Sequence, residues 1–531
     1  MRILISDDLS PEAKTILERI PGAQVDFKPG MKPQELREVI GGYDALAVRS
    51  ATKVTAEVLA AAPRLRVVGR AGTGVDNIDL AAATRRGVVV MNAPGGNSVS
   101  VAEHTLALLL ALARSVADAS QSTRGGKWEK KKYSSGRELM GKTLGVIGTG
   151  NIGALVVQRA KSFGLKVIAY DPFLSAEAAA KLGVELVDLP EIFRRADAIT
   201  LHVPLTELTR NLIGAEQLAR MKKGALIVNC ARGGLVDEKA LADALRSKHL
   251  GGAALDVFDP EPPAADHPLF ACENFIATPH LGGSTEDAQQ NVAVIVCESM
   301  VEYLTTGTIR NAVNVPNVSG EVLERMGPFL RLCEKLGSFA GQLALQGESG
   351  APEAIEILFA GEVSRHPTAP LTAAVLKGVL GTFLAEPVNE VSAPALAKER
   401  GLSVTEVSTS DTPDFASLVT VRLRAGQTTE VAGTIVGKRE PRLVRVASFE
   451  LEAVPEGHII VFHNKDAPGV IGNVGHTLGE AQVNIAQFAL ARDRARGEAL
   501  ALVNVDSKAP PELLEKLRRL PNVHRVQQVL L

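Results

Sequence analysis

Three side chains able to do acid–base and anion chemistry, Arg232, Glu261 and His280, each sit in a loop that follows a short apolar run. Leu226–Asn229 leads into Cys230-Ala231-Arg232-Gly233-Gly234, and Ala253–Val257 into Phe258-Asp259-Pro260-Glu261-Pro262-Pro263. Phe275–Ala277 leads into Thr278-Pro279-His280-Leu281-Gly282-Gly283. An arginine offers a fixed, permanently charged fork that suits a carboxylate or ketone oxygen. A histidine gains and loses a proton near neutrality, which suits general acid–base work. A glutamate bonded to the far imidazole nitrogen would orient the ring and favour its protonated form. Together they would polarise a carbonyl and supply or remove the proton that accompanies a hydride transfer. Any one of them alone is an ordinary loop residue, and a buried His beside a surface Glu is the commoner arrangement. Three such residues on successive loop ends point to one cleft.

The elements that must position them begin at Thr143–Ile147, an apolar run fitting a strand buried in a parallel sheet. Gly148, Gly150 and Gly153 follow at GxGxxG spacing, then the helix-forming stretch Ala154–Phe163 and a second strand, Lys166–Tyr170, ending on Asp171. The first glycine permits a tight turn, the second lets backbone approach a pyrophosphate, and the third lets helix and strand pack closely. The helix N-terminus then faces the phosphates. Asp171 can accept bonds from an adenosine ribose and would repel a 2′-phosphate, and Pro172 and Phe173 offer no compensating cation, so the expected dinucleotide is NAD. A further strand, Ala198–Leu201, runs into His202-Val203-Pro204. A doubly wound sheet gathers all these loops along one edge.

Residues 1–98 also alternate strand-like and helix-like runs, which predicts a second parallel sheet with crossover helices. No GxGxxG follows its first strand, so this unit is expected to hold something other than the dinucleotide. Its loops Val48-Arg49-Ser50-Ala51-Thr52 and Gly69-Arg70-Ala71-Gly72-Thr73-Gly74-Val75-Asp76 lie just beyond strand ends, where open α/β sheets bind ligands. The helical pattern Gln289–Leu304 returns to this unit, so that 286–312 complete it around a nucleotide domain at 99–285. Thr305–Gly320 reads as a linker. Residues 316–453 mix strands and helices without a site motif. Residues 454–531 read strand, helix, strand, strand, helix, strand, a ferredoxin-like βαββαβ order. The predicted fold class is α/β: two Rossmann-like doubly wound domains, then an α+β domain and the βαββαβ domain.

A net charge of −2 gives no reason to expect nucleic acid or an anionic membrane as partner. Cys230, Cys272, Cys297 and Cys333 have neither disulfide-framework nor zinc-ligand spacing, so no metal is expected and a reducing cytoplasm suits the chain. The N-terminus opens directly into a strand pattern rather than a signal peptide. The most apolar helix candidate, Thr105–Ala113, is too short to span a bilayer. Lys127 to Lys132 form a short basic patch that reads as a solvated loop.

GTGNIG with its following YD, the stretch Asn229–Asp237 and the stretch Thr278–Thr285 resemble the D-2-hydroxyacid dehydrogenase family. The loops VRSATKVT and GRAGTGVDNIDL, with Gly126-Lys127-Trp128-Glu129, are similar to the phosphoglycerate-oxidising branch of that family. The whole length is similar to the long form of the branch, with an intervening domain at 316–453 and a C-terminal ACT domain at 454–531. The resemblance implies NAD-dependent oxidation of 3-phosphoglycerate to 3-phosphohydroxypyruvate, the first step of serine synthesis, with Arg232, Glu261 and His280 as the catalytic set. It also implies cofactor contacts at Gly148, Gly150, Asn151, Ile152, Gly153 and Asp171, at Thr73, Val203, Cys230 and Ala231, and at Arg232, Asp256, His280 and Gly282. Backbone N–H groups near Gly72, Gly74 and Val75 would join Arg232 on the substrate carboxylate. Arg49, Ser50 and Arg70 would face the phosphate, joined by Lys130 to Lys132 from a partner subunit of a homo-oligomer, a dimer through the nucleotide domain or a tetramer. An L-serine effector would meet Asn464, Asp466 and Asn484 in a site shared between paired ACT domains, with Asn484 opening the strand beside the Pro468-Gly469 turn. Two alternatives are a sister dehydrogenase acting on glyoxylate or hydroxypyruvate, which would lack the phosphate site, and a non-enzymatic NAD sensor, which would not need Arg232, Glu261 and His280 together.

Overall fold

Short apolar runs separated by glycine- and proline-bearing turns build four sheets in the computed structural model, which describes residues 1–317, 320–346, 352–385, 387–412, 414–437, 439–493 and 497–531. The first sheet contains β1 (Arg2–Ile5), β2 (Gln24–Phe27), β3 (Ala45–Val48), β4 (Val67–Arg70) and β5 (Val89–Met91) in the order β2-β1-β3-β4-β5. All its pairings are parallel. β3 is buried along its whole length, as a central strand covered on both faces must be. β2 has no apolar run and is half exposed, because it is an edge strand, and the sequence pattern does not reveal it.

The second sheet contains β6 (Thr143–Ile147), β7 (Lys166–Tyr170), β8 (Glu185–Leu186), β9 (Ala198–Leu201), β10 (Leu226–Asn229), β11 (Gly252–Leu255) and β12 (Phe275–Ala277). Its order is β12-β11-β10-β9-β6-β7-β8, again all parallel. The winding reverses between β6 and β9, so the glycine turn after β6 stands at the topological switch point, where such sheets bind ligands. β8 is an exposed two-residue edge strand with no hydrophobic signal of its own.

Two long helices join the sheets. Ser98–Arg114 buries Val101, Ala102, Leu106, Leu108 and Leu109 in the second core. Glu286–Thr306 returns to the first, where Val292, Ala293, Val296 and Met300 pack. Gly69 in β4 makes room for that return: a Cβ there would lie 2.2 Å from Met300 Sδ. The stretch expected to be a linker is pinned rather than loose as far as Asn317. Asn314 bonds the Val90 N–H and the Val88 carbonyl, and Ala312 bridges to Met91. Residues 318–319 of that stretch lie outside the described residues.

The third sheet contains β13 (Ala354–Gly361), β14 (Ser403–Thr409), β15 (Ser417–Ala425), β16 (Gln427–Val436), β17 (Glu440–Val446) and β18 (Phe449–Ala453), in the order β14-β13-β15-β16-β17-β18. Only β13 and β14 pair in parallel. The fourth contains β19 (His458–Lys465), β20 (Ile485–Asp493), β21 (Glu498–Val505) and β22 (Val523–Leu530), antiparallel in the order β20-β21-β19-β22. With the helices Val470–Glu480 and Pro511–Arg518 it makes the βαββαβ order. Ile459, Val461, Leu500, Leu502 and Val529 of this sheet share one core with Leu336, Phe339, Ile357 and Phe359, so the third and fourth sheets pack as one body. Among the described residues, no single helix is long and apolar enough to cross a membrane.

Candidate active site

Asn229 ends β10 and folds the next loop back on itself, accepting the Ala231 N–H at 3.0 Å and donating to the Arg232 carbonyl at 2.8 Å. The Arg232 guanidinium is then fixed by Nε donating to Asp76 Oδ2 at 3.0 Å and Nη1 to the Ala231 carbonyl at 2.7 Å. Its remaining nitrogen, Nη2, lies against Gly74, where a Cβ would sit 2.0 Å away.

The loop after β12 is built around Asp256, which is buried at the end of β11. Its carboxylate accepts Thr278 Oγ1 at 2.6 Å and the Leu281 and Gly282 N–H groups at 2.8 Å, with His104 Nε2 at 3.3 Å. Burial opposes ionisation of Asp256, but the bonds from His104, Thr278 and the two amides outweigh it and hold the carboxyl below the usual range. This clamp sets His280 in the left-handed region, φ 55°, with its N–H on the Asp256 carbonyl at 2.9 Å. His280 Nδ1 meets Glu261 Oε2 at 2.9 Å, while Glu261 Oε1 accepts the Phe258 N–H at 3.0 Å. An ionised carboxylate only accepts, so Nδ1 carries the proton and Nε2 is left for proton exchange.

The opposite wall is cationic. Arg49 follows β3, its N–H held by Asp7 Oδ2 at 2.5 Å and its carbonyl by Asn77 Nδ2 at 2.8 Å. Arg70 ends β4. Among the described residues neither guanidinium finds a hydrogen-bond acceptor, and Arg70 Nε is buried without a partner. Burial and the neighbouring Arg232 pull Arg70 down to about 10, with Asp76 opposing and Arg49 adding to the effect. Three guanidiniums thus converge, and Asp76 bonds only the third. The N–H groups of Gly72, Thr73, Gly74 and Val75 likewise find no acceptor among the described residues. Such consecutive free amides form a concavity suited to an anion. Gly72 suits its place: φ is +154°, which L side chains rarely adopt, and the Arg70 guanidinium fills the space where a Cβ would lie, 2.0 Å from Nη1.

At the glycine turn, Gly148 has φ 89° and a Cβ on it would lie 2.5 Å from the His202 carbonyl oxygen. A Cβ on Gly153 would lie 2.0 Å from the Gly148 oxygen, whereas one on Gly150 would meet nothing within 4 Å. Gly150 is the N-cap of the helix Asn151–Ser162 and no side chain caps its amides. An open glycine before uncapped helix amides fits a pyrophosphate. Asp171 accepts the Thr149 N–H and Oγ1 at 2.8 Å and the Phe173 N–H at 2.9 Å. Partial burial works against its charge, but these bonds prevail and keep the carboxyl below the usual range.

One cavity of about 1140 Å³ brings most of the expected residues together. It is lined by Arg49, Ser50, Arg70, Gly72, Thr73, Gly74 and Val75 from the first domain. The second contributes Ile152, Val203, Cys230, Ala231, Arg232, Asp256, Glu261, His280 and Gly282. Gly148, Gly150, Asn151, Gly153 and Asp171 stand outside this wall, in the glycine turn and just beyond β7. Burial pushes the Cys230 thiol up to about 12 and pulls the His202 imidazole down to about 3, so both stay neutral. Asp76, the Phe258 N–H and His104 carry no role in the sequence reading. Asp76 sits in the glycine-rich stretch beyond β4, and only its contact with Arg232 reveals its use. The expected effector residues do not converge within one chain. Asn464 and Asp466 lie at the C-terminal end of β19, while Asn484 lies beside Val505 and Asp506, opposite His458. β20 runs alongside β19 in the same direction with β21 between, so its first residue starts at the far end, roughly 20 Å away at the usual strand rise. Asn484 bonds Asp506 and Asp466 bonds Arg492.

Comparison with known proteins agrees with this architecture. Residues 106–282 match the NAD-binding domain of D-isomer-specific 2-hydroxyacid dehydrogenases, 325–447 the D-3-phosphoglycerate dehydrogenase intervening domain, and 458–522 the ACT domain. The D-3-phosphoglycerate dehydrogenase of Methanocaldococcus jannaschii is 43% identical over 528 residues, covering 99% of both chains. That of Synechocystis sp. is 41% identical, covering 100% of this chain and 95% of its own. The first two domains superpose on the TT0316 protein of Thermus thermophilus with TM-score 0.54 and 37% identity, covering 59% of this chain and all of that one. The apo D-lactate dehydrogenase of Escherichia coli gives TM-score 0.53 and 30% identity over 59% of this chain and 100% of its own. The chain belongs to the D-3-phosphoglycerate dehydrogenases, NAD-dependent members of the D-isomer-specific 2-hydroxyacid dehydrogenase family.

Proposed function

We propose that this chain oxidises 3-phospho-D-glycerate to 3-phosphohydroxypyruvate, with His280 as the base. The observation that carries the reading is the convergence of Arg49, Arg70 and Arg232 opposite the His280–Glu261 pair, with two guanidiniums unpaired. A substrate with a carboxylate at one end and a phosphate dianion at the other answers that surplus charge. Arg232 Nη2 and the free amides at Gly74 and Val75 hold the carboxylate and the adjoining C2 oxygen. Arg49, Ser50 and Arg70 hold the phosphate. His280 Nε2 takes the C2 hydroxyl proton while Glu261 holds Nδ1 and balances the charge that develops on the ring. NAD, when bound, supplies the hydride acceptor for C2. Purified protein incubated with NAD and 3-phosphoglycerate should yield NADH and, by mass spectrometry, a product two hydrogens lighter than the substrate. Unchanged substrate would refute the assignment.

The cofactor preference follows from Asp171. Its carboxylate is held ionised at the end of β7, and Pro172 and Phe173 bring no cation that could receive a 2′-phosphate. Wild-type enzyme should prefer NAD over NADP by about a hundredfold or more in kcat/KM, and Asp171→Ala should erase most of that ratio, consistent with about 1.5–3 kcal/mol for a hydrogen bond to a charged group. Steady-state kinetics with both cofactors read this directly; an unaltered ratio in the variant would remove Asp171 from cofactor choice.

For the ACT domain we propose L-serine binding and lowered activity, in a site completed only when two chains of a homo-oligomer pair. Asn464 supports it: the residue is buried beside the turn after β19, and among the described residues its Oδ1 has no hydrogen-bond partner. Calorimetry with serine on the whole enzyme and on an Asp466→Ala, Asn484→Ala double variant tests the site. Binding to the wild type and loss in the variant are expected; absence of heat in the wild type would end the proposal.

A further inference from the structure

A half-buried acid–base pair behind the cavity holds the loop that carries Glu261. Glu238 opens the helix Glu238–Arg246, and His267 precedes the short turn Pro268–Ala271. His267 Nε2 lies 2.8 Å from Glu238 Oε2, each side chain 14% exposed. The other oxygen, Oε1, accepts the Asp259 N–H at 3.0 Å. One residue earlier, the Phe258 N–H goes to Glu261 Oε1, also at 3.0 Å. Two consecutive amides are therefore held by two glutamates, one in the cavity wall and one outside it. The peptide packs directly on Gly233, the neighbour of Arg232, where a Cβ would lie 2.0 Å from the Phe258 oxygen. The Phe258 and His267 rings pack edge to face at 5.8 Å.

Helix capping does not account for Glu238. Asp237 is the N-cap and its side chain accepts the Ala240 N–H at 2.9 Å. Among the described residues His267 Nδ1 is buried without a partner, so Nε2 is the ring nitrogen committed to Glu238. Burial pushes the Glu238 carboxyl above the usual range, a cost that an apolar residue at this position would avoid.

We propose that Glu238 and His267 are positioning residues for the dehydrogenation: they fix the Phe258–Asp259 peptide, and through it the Glu261 carboxylate that orients His280. The inference rests on the proposed role of His280 and Glu261. A double-mutant cycle separates it from ordinary structural support. Glu238→Ala should lower kcat about tenfold, with the KM for 3-phosphoglycerate and the NADH affinity each within about twofold of wild type, a coupling inside the usual range for neighbouring residues. In a Glu261→Ala background the same substitution should cost almost nothing further, and Glu238→Gln, which keeps an acceptor for Asp259, should recover most of the loss. If Glu238→Ala does not fold, His267→Phe, which keeps the ring contact and loses the bond, carries the same cycle. Additive losses, or an unchanged kcat in the Glu261 wild-type background, would overturn the inference. A His280→Ala enzyme with normal turnover would instead overturn the reading of the site beneath it.

Discussion

His280→Ala is expected to cut kcat for 3-phosphoglycerate oxidation by about two to four powers of ten, the usual worth of a positioned acid–base group. That is about 3–5 kcal/mol of transition-state stabilisation. The expectation follows from the geometry. Nδ1 is committed to Glu261 at 2.9 Å, so Nε2 is the one ring nitrogen free to take the hydroxyl proton. His280 also occupies a left-handed backbone position, φ 55°, which alanine adopts reluctantly. His280→Asn, tolerant of that conformation, is therefore the companion variant, and the NADH affinity of both separates a lost base from a lost cofactor contact. Near-normal turnover in either would take His280 out of the mechanism. Glu261→Gln should cost less, because an amide oxygen can still receive the Nδ1 proton while the charge that favours the imidazolium is lost.

The second large effect concerns the phosphate. Arg70→Ala and Arg49→Ala should each lower kcat/KM for 3-phosphoglycerate by about 10- to 150-fold, consistent with about 1.5–3 kcal/mol for a hydrogen bond to a charged group. Unphosphorylated D-glycerate presents no dianion, so its kcat/KM should move little in either variant. Lysine at position 70 should not restore the phosphate preference, since a point charge does not replace a planar fork. Equal losses on both substrates would make these arginines structural. Arg70 adds a second readout. Its pull down to about 10 means that its charge opposes folding of the free protein. That penalty is present at neutral pH, where the guanidinium is charged. Arg70→Leu should thus raise the melting temperature of the unliganded enzyme while removing discrimination for phosphate.

Much of this site is legible in the amino-acid order because each piece is a local rule. Gly148, Gly150 and Gly153 announce the turn between β6 and its helix, and strand ends mark where Arg232, Glu261 and His280 emerge. Buried parallel strands are continuous apolar runs, so β3, β6, β9 and β10 stand out. β2 and β8 do not, because an edge strand that is only partly covered, or not covered at all, carries no such run. What stays hidden is pairing across sequence distance. Asp76 fixes Arg232 from 156 positions away, and Glu238 holds the Asp259 amide across 21. The shared core of the third and fourth sheets is hidden for the same reason: either face alone looks like an ordinary half-buried sheet. The relative placement of the effector residues is hidden differently. Their order along the chain puts Asn484 after the turn, but the parallel course of β19 and β20 carries it to the opposite end.

The most direct test of the account is the ratio of kcat/KM for 3-phosphoglycerate to that for D-glycerate, followed by nicotinamide absorbance with NAD and purified wild-type enzyme. With both Arg49 and Arg70 on the phosphate, the account predicts a preference of at least about a hundredfold for the phosphorylated acid, from two charge-assisted contacts. Comparable rates on the two acids, or faster turnover of the unphosphorylated one, would contradict it and assign the cavity to a sister 2-hydroxyacid substrate.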